Sequence, residues 1–289
     1  MPNPAADGAP VTYGSYLRLN ELLGLQRPLS GAGGAAEHPD ELLFIVVHQA
    51  SELWFKVVRA ELDALHEALA AAARDGAAEE WALWRVQRLN TLTRIVSDQL
   101  NALDALPPQR FLQFRSFLGS SSGSQSVQFR AIEAASGLRD PAFLAAAGGR
   151  AAGDDPRPAP PELVARELAR PTLERRFLDL LAARGVAPEA LYTGPAPSAL
   201  FFLAEGLLEY EQQFARWRFA HVQLVERIIG PMTQGTGGSL GAGHLARTVA
   251  HRFFPVLWEV RARLYGAARE DAARAAAAGA AAPAGGTDR

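Results

Sequence analysis

ELLFIVVHQASELWFKVVRAELDALHEALAAAARD (41–75) runs without a glycine or a proline. Its apolar residues Leu43, Val46, Val47, Leu53, Val57, Leu62, Leu65 and Leu69 recur at helical spacing, which predicts one long helix. Asp40, just ahead of it, is read as the N-cap. Upstream, SGAGGAAEHPD (30–40) reads as a flexible connection. Downstream, 77–106 predicts a second long helix stopped by Pro107-Pro108. A short helix at 108–118 follows, then the loop SSSGS (120–124) and a helix over 125–137. Residues 148–161, rich in Gly, Pro and Ala, read as a surface excursion. Further helices are expected at 162–184, at 198–229 and at 240–265 with a break near Pro255. No alternating strand pattern emerges. The fold class is all-α, with long antiparallel helices around a core.

The chain has 289 residues, 48% of them hydrophobic, so a sizeable core is within reach. A disordered N-terminus is expected over 1–10, one helical domain over 11–268, and a low-complexity alanine-rich tail over 269–289. A formal charge of −2 argues against a nucleic-acid binder. The absence of cysteine removes disulfides, thiolate metal sites and cysteine nucleophiles. No apolar run approaches membrane-spanning length, and MPNPAADGAP lacks the pattern of a signal peptide, so a cytoplasmic protein is expected.

Four segments carry chemistry: FIVVHQASELW (44–54), RFLQFRSFLGSSSGSQS (110–126), RWRFAHVQLVERIIG (216–230) and TQGTGGS (233–239). Phe44 and His48 stand four residues apart on one helix face, continued by Ser51 and Phe55. His48 is either a core histidine satisfied by a neighbouring hydroxyl or a distal histidine beside a cofactor. His221 lies in the stripe Phe214, Trp217, His221, Leu224, Ile228 and is either a satisfied core histidine or an axial iron ligand. Arg115 is set among Phe111, Phe114 and Phe117. Its guanidinium fork matches a substrate carboxylate or, equally, an internal glutamate. GTGGSLGAG (235–243) fails both nucleotide-binding templates. It is a ligand-covering loop carrying Thr236 or a plain connector. His66, His244 and His251 read as surface or boundary residues.

Taken in order, YGSYLRLNELL (13–23), LLFIVVHQASELWFKV (42–57), LQFRSFLGSSSGSQSVQFRAIE (112–133), WRFAHVQLVERIIG (217–230), GTGGSLG (235–241) and FFPVLWEVR (253–261) resemble the tryptophan 2,3-dioxygenase family over about residues 13–265. The resemblance implies a helical homotetramer with haem b, adding both atoms of O2 across the indole C2–C3 bond of L-tryptophan to give N-formylkynurenine. It implies His221 as axial ligand, His48 as the distal histidine contacting the indole N–H, and Phe44 and Phe111 as ring-packing walls. Arg115 matches the carboxylate clamp, and Thr236 the loop threonine near carboxylate and ammonium. Tyr13 and Tyr16 match a segment that reaches a neighbouring subunit's site, and Gly123 and Ser124 fall at cofactor-binding positions.

Several positions depart from the family's pattern. Ser124 replaces phenylalanine, Ala50 replaces threonine, Leu100 replaces a tryptophan bordering the haem, and GPMTQGTGG carries an extra residue. Lost ring volume near a cofactor leaves room or admits water. An alternative expectation is therefore a haem monooxygenase inserting one oxygen into tryptophan or a β-substituted (for instance β-methyl) tryptophan in secondary metabolism.

Overall fold

A computed structural model describes residues 10–34, 36–75, 79–139, 161–230 and 242–280, excluding the side chains of 242–244 and 275–280. The expected excursion at 148–161, apart from its last residue, lies outside the described residues, as do Thr236 with its glycine loop and most of the expected disordered N-terminus. All regular structure among the described residues is helical. The α-helices are α1 (Tyr13–Leu17), α2 (Leu19–Leu23), α3 (Pro39–Asp75), α4 (Glu79–Asp98), α5 (Pro108–Arg115) and α6 (Val127–Ser136). They continue with α7 (Glu162–Ala169), α8 (Leu173–Ala183), α9 (Ala190–Thr193), α10 (Ala199–Ile229), α11 (Ala242–Thr248) and α12 (Pro255–Ala280).

Elementary stereochemistry sets the boundaries. α3 begins one residue before Asp40, at Pro39, whose fixed φ suits a first helical position. The expected cap is corrected: His38 caps instead, its carbonyl accepting from Glu41 N and its Nδ1 from Asp40 N. Asp40 is left to pair with Arg110. α4 tightens into a 3-10 stretch over Gln99–Ala105 and ends in extended Leu106, ahead of the prolines. The helix expected over 162–184 is two helices. Pro171 forces Arg170 into extended backbone, and Thr172 caps α8 by accepting from Arg175 N. α12 runs on to Ala280, because its alanines propagate the helix well into the low-complexity stretch.

The α3 stripe is also corrected. Val47, Leu62, Leu65 and Leu69 are buried as expected, joined by Phe55, Val58 and Ala72, while Val46, Leu53 and Val57 are exposed. With Leu42, these three form a row on the solvent face of the helix. His66 is likewise not a surface residue. It is buried, and its Nε2 donates to the Ala135 carbonyl.

The chain divides into two compact units. One comprises 1–55, 95–126 and 216–249; the other comprises 56–94, 127–215 and 250–289. In the second unit α4 and α10 approach closely at Gly206, where a Cβ would lie 2.3 Å from Val86 Cγ1. Several of its buried polar groups are paired across helices. The Ser136 and Tyr210 hydroxyls meet at 2.7 Å. The fully buried Glu211 accepts from Phe254 N and Trp258 Nε1, anchoring the start of α12.

Candidate functional site

The first unit gathers residues from four elements around one apolar cluster. Val47 comes from α3, Leu100 and Leu103 from the 3-10 stretch, Phe111 and Phe114 from α5, and Leu224 and Ile228 from α10. Phe44 and Trp217 pack against that cluster. The sequence spacings converge in part: Phe44 of α3, Phe111 of α5 and Trp217, Leu224 and Ile228 of the α10 stripe border the same interior, whereas Phe214 packs on Tyr210 and Phe253 in the second unit.

Phe44 is the hub of the aromatic wall. Its ring lies 5.6 Å from Phe111, 5.7 Å from Phe114 and 4.2 Å from the His48 imidazole. These tilted and edge-on arrangements are the favourable ones for aromatic rings. His48 is exposed, so it is not a core histidine, and its partner is not a hydroxyl. Its Nδ1 lies 2.7 Å from the Phe44 carbonyl oxygen. A carbonyl only accepts, so Nδ1 carries a proton and donates it into this bond.

His221 sits one turn beyond Trp217, their rings 5.2 Å apart. The residue is half-buried by surface area, but its imidazole is densely surrounded. Burial pushes its pKa down to about 4, helped by the charge of His48, which places the two imidazoles within electrostatic reach. His221 is therefore neutral at physiological pH. Neither ring nitrogen makes a hydrogen bond among the described residues.

Arg115 is half-buried in the last turn of α5, one turn beyond Phe111. Phe117, expected beside it, is 44% exposed, whereas Phe114 is fully buried in the wall. Gly123 and Ser124 lie in an exposed 3-10 turn closed by a Ser122–Gln125 capping box, and the Ser124 hydroxyl lies 2.9 Å from that of Ser122. Tyr13 and Tyr16 project from α1 and are 76% and 75% exposed.

The family model described as tryptophan 2,3-dioxygenase matches residues 2–144 and 171–264. A tryptophan 2,3-dioxygenase of a Nocardioides species is 37% identical over 268 residues, covering 89% of this chain and 96% of that protein. One of an Anaeromyxobacter species is 38% identical, covering 91% of this chain and 100% of its own. One of Herpetosiphon aurantiacus is 37% identical, covering 88% and 98%. This chain belongs to the tryptophan 2,3-dioxygenase family.

Tryptophan 2,3-dioxygenases are haem-dependent oxygenases, and the donor set here fits that cofactor. Among the described residues no group of three His, Asp or Glu side chains is placed to hold a bare metal ion. The site instead offers the imidazole of His221, whose nitrogens make no hydrogen bond among the described residues, close to an apolar interior. That is what single axial ligation of a porphyrin requires.

Two features of the site escaped the sequence. Arg110 Nε donates to Asp40 Oδ2 at 2.6 Å, and His38 Nε2 lies 2.8 Å from Gln113 Oε1. Together they tie the start of α3 to α5, the two helices that carry Phe44, His48, Phe111 and Arg115. Partners 70 and 75 residues apart leave no local signal.

Proposed function

We propose that this chain is a haem b-dependent dioxygenase that adds both atoms of O2 across the indole C2–C3 bond of L-tryptophan, giving N-formylkynurenine. The observation that carries the reading is the pairing of neutral His221 with His48 beside the Phe44–Phe111 wall, in a chain of this family. His221 holds the haem, with Gly123 and Ser124 at its border. The cofactor, when bound, supplies the binding and activation of dioxygen.

The remaining work is positioning. Phe44 and Phe111 form the aromatic wall against which a flat indole packs, and the Nε2 of His48 accepts its N–H. Arg115 clamps the carboxylate, with Thr236, outside the described residues, completing the hold on the amino-acid end. A substrate fixed at both ends presents its ring in a reactive pose. Tyr13 and Tyr16, exposed in one chain, fit a segment that completes a neighbour's site in a homotetramer. The solvent-facing row Leu42, Val46, Leu53 and Val57 supports such association. Among the described residues no helix is long and apolar enough to cross a membrane, which agrees with a cytoplasmic enzyme.

The test is anaerobic reduction of the haem-loaded protein, followed by O2 and L-tryptophan with mass spectrometry of the product. A gain of two oxygens is expected. A gain of one, or no turnover, overturns the reading. His221→Ala is expected to lose the Soret band of a stably ligated haem.

A further inference from the structure

The helices α1 and α2 bury none of their residues. Tyr13, Tyr16 and Leu23 are exposed, and so are Leu25 and Leu29 beyond them. This N-terminal arm therefore has no apolar core of its own to fix where it points. What holds it is polar and lies at its base, where residues 25–30 meet α3.

Two clasps make that hold. The Glu41 carboxylate, 1% exposed in the first turn of α3, takes the Leu29 amide on Oε1 at 2.8 Å and the Ser30 amide on Oε2 at 2.9 Å. Burial works against its charge, but bonds from the Ser30 hydroxyl and the two amides outweigh it and hold the carboxyl below its usual range. Two turns on, the Gln49 amide donates to the Leu25 carbonyl and accepts from Gln26 Nε2, which also donates to the Leu22 carbonyl at the end of α2. The order is reversed, 26 against 49 and 30 against 41, so this stretch runs antiparallel to the start of α3. Eight residues of helix rise about 12 Å, within the roughly 14 Å that four residues of chain can reach. Phe44 and His48 stand on the turns between the two clasps. Ser30 extends the link to the aromatic wall: its hydroxyl accepts from His38 N at 2.7 Å, and the His38 ring lies 5.2 Å from that of Phe114.

We propose that Glu41 and Gln49 are positioning residues for tryptophan binding: they fix how the N-terminal arm leaves the turns that carry Phe44 and His48, and so where Tyr13 and Tyr16 enter a substrate site. The role rests on the oxygenase reading. A buried carboxylate filled by two amides of one segment is a directional hold, and removing either acceptor leaves a buried donor unmet. Both clasps lie within one chain, so each subunit aims the arm that completes its neighbour's site.

Two measurements on the haem-loaded full chain test it. Hydrogen exchange read by mass spectrometry follows the amides of Leu29 and Ser30. Glu41→Gln sets an NH2 group against one of them, and exchange there is expected to quicken at least about tenfold, with the Phe44–His48 turns within about twofold of wild type. Anaerobic optical titration of the ferrous protein with L-tryptophan gives Kd without turnover. Glu41→Gln is expected to raise Kd about five- to tenfold while the Soret band of the substrate-free protein stays in place. Gln49→Ala, which leaves the buried carboxylate intact, is expected to shift both quantities the same way by about two- to threefold. In a Tyr13→Ala/Tyr16→Ala background, Glu41→Gln is expected to add less than about twofold to Kd, because the arm it aims no longer carries its rings. Unchanged exchange at Leu29 and Ser30, an unchanged Kd in both clasp variants, or the same cost of Glu41→Gln with and without the tyrosines overturns the proposal and spares the oxygenase reading. A wild type that binds no tryptophan overturns that reading, and this role with it.

Discussion

At the scale of single residues, the division of labour between the two histidines follows from what each is bonded to. Burial pushes the pKa of His221 down to about 4, and His48 keeps a proton on Nδ1 because that nitrogen donates to the Phe44 carbonyl. His48→Ala removes the acceptor proposed for the indole N–H and leaves the aromatic wall in place. The expected loss in kcat/KM is about five- to tenfold, the worth of one net hydrogen bond near 1 kcal/mol. A 1-methyl substrate, lacking that N–H, should show no further loss in the variant. Complete inactivation with normal substrate binding would instead make His48 an obligatory base. Helical spacing set Phe44 with His48, and Phe111 with Arg115, on shared faces, but it left the role of each histidine open, and only the family resemblance assigned one. His66 was not legible, because a polar side chain beside Leu62, Leu65 and Leu69 gives no sign of its own burial, and its bond to Ala135 crosses 69 positions.

At the scale of elements, helix existence was legible wherever apolar periodicity ran unbroken, and boundaries were legible wherever proline stood. Pro107-Pro108 and Pro255 fell where expected. Pro171 was passed over because apolar residues keep a helical period on both sides of it. The spacing between helices was illegible, since it depends on which small residue meets which neighbour. Gly206→Ala drives a methyl into Val86 and is expected to destabilise by about 1–3 kcal/mol, despite alanine's better helix propensity. Adding Val86→Ala should restore part of that loss in a double-mutant cycle of urea melts, and strict additivity would place the cause elsewhere. The Asp40–Arg110 pair acts on a different quantity. Both side chains are partly exposed, so Arg110→Ala should cost no more than about 1 kcal/mol of stability. Loosening α3 from α5 should raise KM for tryptophan several-fold more than it lowers kcat, and Arg110→Lys should recover much of it. A change in melting temperature with unaltered KM would reduce the pair to a surface contact.

At the scale of the whole molecule, one buried and one half-buried group push the pH dependence of stability in opposite directions. Burial lowers the pKa of His66 to about 4, with the charge of Arg170 adding to the effect. The unfolded chain then binds more protons between pH 4 and 6.5, and stability rises with pH across that window. The contribution of His66 is complete above its unfolded value and lost as pH falls through 4, by at most about 3 kcal/mol. Glu174 does the reverse. Burial raises its pKa to about 7, reinforced by Glu211 and Glu259, although the amide of Val256 at 2.7 Å favours its charge. Here the folded chain binds more protons between pH 4.5 and 7, so stability falls as pH rises. The wild-type profile is the sum of these slopes and should be flatter than either. Glu174→Gln keeps the acceptor for Val256 and removes the titration. Its stability relative to wild type should be constant below about pH 4.5, climb towards pH 7 and level off above it, read from urea midpoints at stepped pH. Partial exposure of Glu174 lets solvent screen the effect, so the shape of the curve is the decisive quantity. A flat difference from pH 4 to 8 would mean that the carboxyl ionises in the folded protein as it does in water. The start of α12 would then be held by a charged carboxylate in place of a neutral acid.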